Sequence, residues 1–218
     1  MTNEKLGFTE EPSLIFQYIK EGNEEAIEAL IDSNQINVNL VDNLGNDVIS
    51  RLLKARMYDY VFILMKKRNW KVNHQNEEGN TFGHLLAQDN SIQAVKVFEE
   101  LIKKRNYLPN IKNNNNETAL DISLNNNYLG CAFKILQDKR FNSISMLSFK
   151  QLLQVTLNNK LYGKYSKITN LKIIVENFEK KELDLEIKKY VSFLSENMDA
   201  IKQDIMIGKV SLISQILK

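Results

Sequence analysis

The chain has 218 residues, of which 43% are hydrophobic and 26% are charged, and these proportions are typical of folded proteins rather than of disordered or fibrous ones. Its 29 Lys and Arg residues against 27 Asp and Glu residues give a formal net charge of +2. This near balance excludes the strongly one-signed charge of a dedicated nucleic-acid binder. Charged or amide residues interrupt every hydrophobic run before it reaches the roughly 18 residues that a membrane span requires, so no membrane partner is expected.

The N-terminal segment and the cysteine content predict the compartment. Residues 1–11 contain several acidic residues and no apolar stretch after a basic start, so they predict a tail rather than a secretory signal. Cys131 is the single cysteine of the sequence, and an intramolecular disulfide therefore cannot form. A reducing, cytoplasmic location is the simplest expectation.

A repeat is the main feature of the first two thirds of the chain. Gly22, Arg56, Asn90 and Asn127 follow one another at intervals of roughly 34 to 37 residues. Gly and Asn tolerate a left-handed backbone, which often ends a helix. The spacing predicts four units, over 12–37, 38–71, 72–108 and 109–141.

The first helix of each unit is predicted to be short. Nine residues before each of these four positions stand Ser13, Asp47, Thr81 and Thr118, whose side-chain oxygens suit a helix N-cap. The segments between cap and turn predict helices over 14–20, 48–54, 82–88 and 119–125.

A second, longer helix is predicted to follow in every unit. The apolar positions that share its buried stripe are Ala26, Ile27, Leu30, Tyr60, Val61, Leu64, Ala94, Val95, Phe98, Cys131, Ala132 and Ile135. Extra residues after Phe98 predict a longer second helix or exit loop in the third unit. Polar segments with Gly or Asn between units predict tight turns.

The third unit carries the clearest family motif. Asn73, Gly79, Thr81 and His84 match the ankyrin-repeat pattern N-x-x-D-x-x-G-x-T-P-L-H-x-A, and the chain resembles that family over about residues 12–141. The pattern's Pro is replaced by Val48, Phe82 or Ala119, so the match is divergent. The resemblance implies an all-α, ankyrin-type α-solenoid of stacked helix pairs and non-enzymatic recognition of another protein.

The resemblance also implies which residues meet the partner, namely the hairpin tips and the exposed face of the first helices. The expected tip residues are Asp42, Asn43, Leu44, Asn76, Glu77, Glu78, Asn113, Asn114 and Asn115. The expected helix residues are Arg51, Lys54, Ala55, Leu85, Gln88, Asp89, Ile122, Asn125 and Asn126. This mixture of both charges with amides predicts a polar protein partner, and the alternative is that these residues are merely solvated.

Residues 144–218 lose the period and predict amphipathic helices over 148–158, 166–180, 183–194 and 198–217. A helical cap on the repeats is the simplest interpretation. A fifth, degenerate helix pair over 148–178 and an oligomerisation or partner-docking element are the alternatives. Lys160, Lys164, Lys167 and Lys172 leave open weak contact with nucleic acid, although nucleic acid is an unlikely partner on the overall charge.

The sequence offers little for catalysis. Its two histidines, His74 and His84, and its single thiol cannot supply a zinc site, and no phosphate-binding glycine motif occurs. No catalytic residue, metal site or cofactor is therefore predicted. The resemblance implies that His84 bridges backbone groups of neighbouring units, whereas His74 is expected to face solvent and Cys131 to be a buried apolar contact.

Overall fold

The computed structural model of the protein describes residues 13–34, 36–142, 144–159 and 163–209. Apart from an isolated antiparallel bridge between Val41 and Asp47, regular structure over these ranges is helical. The helices are α1 (Leu14–Glu21), α2 (Glu24–Asp32), α3 (Val48–Lys54), α4 (Tyr58–Leu64), α5 (Phe82–Ala87), α6 (Ile92–Ile102), α7 (Ala119–Asn125), α8 (Leu129–Gln137), α9 (Met146–Asn158), α10 (Lys164–Glu179), α11 (Leu185–Glu196) and α12 (Met198–Met206). The predicted tail, Lys160 and the 210–217 end of the last predicted helix lie outside the described residues.

The chain forms two compact units, the first ending at Phe82 and the second starting at Gly83. This division falls within the predicted third repeat, at the start of α5. Helices α3 and α7 have the predicted bounds, whereas α5 is one residue shorter than predicted. The predicted irregularity after Phe98 is confirmed, since α6 has 11 residues and α2, α4 and α8 have 9, 7 and 9.

In the first unit, α1 packs against α2 and α3, and α3 packs against α4. The apolar faces of the short helices are buried, with Ile15, Phe16 and Ile19 on α1 and Ile49 and Leu52 on α3. Helices of seven or eight residues are too short to be stable alone in water, so this burial holds them in place. The Tyr60 hydroxyl adds a link between helices by donating to Glu28 Oε1 over 3.0 Å.

Left-handed residues end three of the four first helices, as predicted at Gly22 and Asn127 but not at Arg56, since Arg rarely adopts this backbone. The φ angles of Gly22, Arg56 and Asn127 are 68°, 60° and 58°. In each case the next amide donates five residues back into the helix, from Asn23 to Tyr18, Met57 to Leu52 and Tyr128 to Ser123. These are Schellman-type ends, which satisfy carbonyls that the helix leaves open.

Asn90 is the exception, and the prediction of a left-handed residue there is wrong, since it is not among the positive-φ residues. Helix α5 ends instead in hydrogen bonds of the 3₁₀ type, in which the amides of Gln88 and Asp89 donate to the carbonyls of Leu85 and Leu86, three residues earlier. The Asp89 carboxylate then accepts from the Ser91 amide over 2.8 Å. A side-chain turn therefore redirects the chain here without a left-handed residue.

Two of the four predicted caps and most of the predicted buried stripe are confirmed, while the cap at Thr81 stays a prediction. The side chains of Asp47 and Thr118 accept amide hydrogen bonds as N-caps, whereas Ser13 precedes α1 without a capping bond from its side chain. Most stripe positions are buried, but Ala26, Leu30 and Val95 are only half-buried. These three lie where neighbouring side chains cover the helix incompletely.

In the second unit the helix pairing continues past α8. Helix α8 packs on α6 and α7, α9 packs on α7, and α10 packs on α8 and α9. Helices α11 and α12 pack on α10, and the rings of Phe149 and Phe178 meet edge to face at 5.5 Å. The α9–α10 pair thus stacks on α7–α8 as one helix pair on another, while the assignment of a cap or a fifth repeat to this segment stays a prediction.

Candidate partner-binding surfaces

The three hairpin turns that follow α2, α4 and α6 have the same internal structure. In each, one side-chain oxygen accepts two backbone amides, namely those of Leu44 and Asn46 at Asp42, of Glu78 and Asn80 at Asn76, and of Asn115 and Glu117 at Asn113. The left-handed residue of each turn is Gly45, Gly79 or Asn116, with φ of 72°, 74° and 63°. The local sequence therefore fixes the shape of each tip.

This geometry corrects the expectation for the first residue of every tip. Asn76 and Asn113 are each 9% exposed, and the Asp42 side chain is also 9% exposed. Their oxygens are occupied by the turn. They position the tips and do not present a face to a partner.

The two tips of the first unit are bonded to one another. The Glu77 amide donates to the Leu44 carbonyl over 3.2 Å, and the Asn76 side chain donates to Asn46 Oδ1 over 3.0 Å. His74 Nε2 lies 2.7 Å from the Gly45 carbonyl oxygen and the residue is half-buried, so His74 faces solvent only in part. A side chain at Gly45 would place its Cβ 3.0 Å from the Glu77 nitrogen, and the φ of 72° is rarely adopted by residues with a side chain, so both the contact and the backbone favour glycine here.

The next two residues of each tip remain exposed. In the first unit these are Asn43, Leu44, Glu77 and Glu78, and in the second unit Asn114 and Asn115. Leu44 is 51% exposed although it is apolar. These exposed positions are held in place by the turn that Asp42, Asn76 or Asn113 builds, and Glu78 also accepts a hydrogen bond from the Asn80 side chain over 2.8 Å.

We call the first, short helix of each unit its inner helix. The expected binding positions on the inner helix α3 of the first unit carry positive charge. Lys54 and Ala55 are exposed, as expected. Arg51 is half-buried, and its Nε lies 3.2 Å from Asp42 Oδ2 without an aligned hydrogen bond. The ion pair orients Arg51 towards the hairpin turn.

The inner-helix positions of the second unit divide into buried and exposed groups. Leu85 and Ile122 are each 5% exposed, so the expectation that they face a partner is wrong, because these apolar side chains belong to the core. Gln88, Asn125 and Asn126 are exposed, and Asp89 is half-buried. The face that remains is built mainly from amides.

An amide chain missed by the sequence reasoning extends this face. Asn125 donates to Glu117 Oε1 over 2.9 Å, and Gln151 Nε2 donates to Asn125 Oδ1 over 3.1 Å. Gln151 lies on α9, where the period has faded. Only the observation that α9 packs on α7 identifies it.

His84 and Cys131 have structural roles. His84 is 1% exposed and its Nε2 lies 3.0 Å from the Glu117 carbonyl oxygen, which is the bridge that the resemblance implied. Burial lowers the pKa of His84 below its ordinary value, against the opposing effect of backbone hydrogen bonds. Cys131 is 1% exposed, as predicted, and burial raises the pKa of its thiol to about 12.

The described parts of the chain contain neither a metal-binding cluster nor a membrane-spanning helix. No group of three or more His, Cys, Asp or Glu residues there could hold a metal ion. None of the helices described is both long and apolar enough to cross a membrane. A cavity of about 300 Å³ among α10, α11 and α12 has Lys172 beside Glu176 and Glu179 in its lining, so carboxylates offset a lysine of the predicted basic cluster.

Comparison with known proteins identifies the fold. No family model matches the sequence. A probable serine/threonine-protein kinase of Dictyostelium discoideum is 28% identical over 111 residues, which are 50% of this chain and 11% of that protein. The chain thus spans about a tenth of that relative's length.

The crystal structure of EF0377, an ankyrin repeat protein, is similar over 81% of this chain and 84% of its own, with a TM-score of 0.56 and 14% sequence identity. This likeness confirms the all-α, ankyrin-type fold that the sequence predicted. At this level of identity, the shared property is the fold.

Proposed function

We propose that this chain, which has the ankyrin-repeat fold, is a non-enzymatic module that binds another protein through its exposed hairpin tips and the exposed ends of its inner helices. One observation carries the proposal. In every described hairpin, the first tip residue accepts two backbone amides and so builds the turn, while the next two residues are exposed. Exposed residues on a turn of fixed shape are accessible to a partner.

Rigid tips favour binding because association costs conformational entropy. A loop that is already fixed loses less freedom when a partner docks, and more of the contact energy appears as affinity. In the first unit the bonds between Leu44 and Glu77 and between Asn46 and Asn76 supply that rigidity. Binding residues are commonly carried on loops held by a rigid scaffold.

The chemistry of the exposed positions indicates a polar partner with local apolar contact. In the first unit, Leu44 offers an apolar anchor next to the acidic Glu77 and Glu78, and Lys54 adds a cation. In the second unit, amides dominate at Gln88, Asn125 and Asn126. Amides both donate and accept, so they suit a partner's polar side chains and backbone.

No residue is assigned a catalytic role. The Cys131 thiol is buried and its pKa is raised, which disfavours the reactive thiolate. His84 is engaged with a backbone carbonyl. The lone cysteine supports a cytoplasmic location as part of the proposal.

A pull-down from native extract tests the proposal when it compares three forms of the chain. The wild type is compared with Leu44→Ser/Glu77→Lys/Glu78→Lys and with the control Glu25→Lys/Asp32→Lys, which changes exposed acids on α2. We expect a protein retained by the wild type to be retained by the control and lost by the tip variant. Equal retention by all three forms would refute binding through the tips, and matching unfolding curves would establish that the variants are folded.

A further inference from the structure

A basic cluster in the second unit is not part of the proposed binding surface. It consists of Lys103, Arg105, Lys139 and Lys180, which follow the ends of α6, α8 and α10 and are all exposed. The sequence Lys-Lys-Arg-Asn after α6 also occurs after α4 in the first unit, at 66–69. Cations therefore follow the C-terminal ends of α4, α6, α8 and α10.

Hydrogen bonds bring the three segments of this cluster together. Arg140 Nη2 donates to the Ile102 carbonyl over 2.6 Å, and Arg140 Nη1 donates to the Lys104 carbonyl over 2.7 Å. Lys181 Nζ donates to the carbonyls of Asp138 and Phe141 over 2.8 and 2.7 Å. We call Arg140 and Lys181 the clamps, because their hydrogen bonds hold the three segments together. In the sequence they are adjacent to the cluster cations Lys139 and Lys180.

Among the described residues, three of the four cluster cations form no ion pair. Arg140 binds Asp138 with two hydrogen bonds of 2.9 and 2.7 Å, so that carboxylate is already neutralised. Over the described residues, ion pairs within 4.0 Å include Lys103 with Glu100 but none of Arg105, Lys139 or Lys180. Glu179 and Glu182 flank Lys180, and cations still outnumber carboxylates around the three turns.

Helix dipoles explain part of this arrangement. Lys103 and Lys180 are the C-cap residues of α6 and α10, where a cation favourably meets the negative end of the helix. Arg105 and Lys139 lie beyond the helix ends and gain little from the dipole, which acts within the last turn. Helix dipoles therefore do not explain the charge at these two positions.

We infer that this cluster binds an acidic segment of a partner protein, on a surface distinct from the hairpin tips. Opposite charge supplies the attraction, and Leu108, which is 55% exposed and follows the α6 exit turn, offers an apolar contact beside it. The aromatic residues of these turns, Tyr107 and Phe141, are 2% and 0% exposed. They cannot stack on bases, which disfavours a single-stranded nucleic acid.

Fluorescence anisotropy tests this inference with a labelled peptide of four Glu-Glu-Leu repeats and a Gln-Gln-Leu peptide as the uncharged control. The variant is Arg105→Gln/Lys139→Gln/Lys180→Gln. The matched control is Lys66→Gln/Arg68→Gln/Lys71→Gln, which removes the same charge from the first unit. We expect about tenfold weaker binding of the acidic peptide by the cluster variant, from the loss of three exposed charge contacts, and less than about twofold by the control.

Two further probes distinguish other anionic partners, namely a labelled oligothymidylate and vesicles containing phosphatidylserine. Tighter binding of either probe than of the acidic peptide overturns the inference, and so does equal weakening by the two triple variants or the absence of acidic-peptide binding. Unfolding curves of both variants that match the wild type establish that they fold. Because the hairpin tips are intact in these variants, failure here leaves the proposed function standing.

Discussion

Trp70 and Asp47 form a buried hydrogen bond in the first unit, with the indole Nε1 2.8 Å from Asp47 Oδ2. The other carboxylate oxygen accepts the Ser50 amide over 2.7 Å and so caps α3. Asp47 is 2% exposed and Trp70 3% exposed. One carboxylate therefore joins the start of α3 to the segment that follows α4.

Asp47→Ala is expected to lower the free energy of unfolding by about 2 kcal/mol, because it removes an N-cap worth about 1 kcal/mol and leaves the buried indole N–H unpaired at a similar cost. Urea unfolding followed by Trp70 fluorescence measures the change, since Trp70 is the single tryptophan. Asp32→Ala, at an exposed site in α2, is the control and should change little. An Asp47→Ala midpoint equal to that of the control would contradict this account of the capping bond.

Phe98→Ala is expected to cost about 3 to 5 kcal/mol, because the side chain is fully buried and its loss leaves a cavity. Phe98 is 0% exposed and meets the Tyr107 ring edge to face at 6.3 Å. Ile92→Ala on the same helix is the control, since Ile92 is 73% exposed. Circular dichroism during urea unfolding compares the two, and similar midpoints would show that α6 does not bury this face.

The hairpin turns predict a difference between neighbouring asparagines. Asn113→Ala removes the acceptor of the Asn115 and Glu117 amides and should lower the free energy of unfolding by about 1 to 2 kcal/mol. Asn115→Ala changes an exposed side chain and should leave the unfolding curve nearly unchanged. If both variants unfold like the wild type, the side-chain turn does not contribute to stability.

The buried His84 predicts a loss of stability in mild acid. Because burial lowers the pKa of His84 in the folded state below 6.5, the unfolded state takes up a proton first as the pH falls. The free energy of unfolding should decrease from about pH 7 to about pH 5, and His84 should contribute no pH dependence above that window. Urea unfolding at several pH values should show this slope in the wild type and in His74→Gln but a smaller slope in His84→Gln, and an unchanged slope in His84→Gln would be inconsistent with it.

Cys131 should be nearly unreactive in the native protein. Burial raises the pKa of its thiol to about 12, so little thiolate exists at about pH 8, and the sulfur is also inaccessible. A thiol-reactive dye at that pH should label the folded chain slowly and the urea-unfolded chain at the rate of an ordinary cysteine. Rapid labelling without urea would place Cys131 outside the core.

Much of the candidate site followed from the sequence because turns and caps depend on neighbouring residues. Asn43, Leu44, Glu77 and Glu78 are exposed as predicted. The first residue of each tip, Asp42, Asn76 or Asn113, was wrongly expected to face a partner. A polar side chain that accepts the turn's own amides cannot be told by residue type from a polar side chain that points to solvent. Leu85 was wrongly expected to be exposed, because the sequence of a short helix does not show how much of its surface neighbouring helices bury.

The sequence by itself determined the repeat, the helix bounds of α3 and α7 and the left-handed ends at Gly22 and Asn127, because these depend on local backbone geometry and on apolar spacing. Only the tertiary structure decided which polar groups are hydrogen-bonded within the fold. Examples are Asp47 with Trp70 and Arg140 with the carbonyls of Ile102 and Lys104 at the end of α6. Those partners are distant in sequence. Their meeting depends on how the helix pairs stack, which no short window of residues encodes.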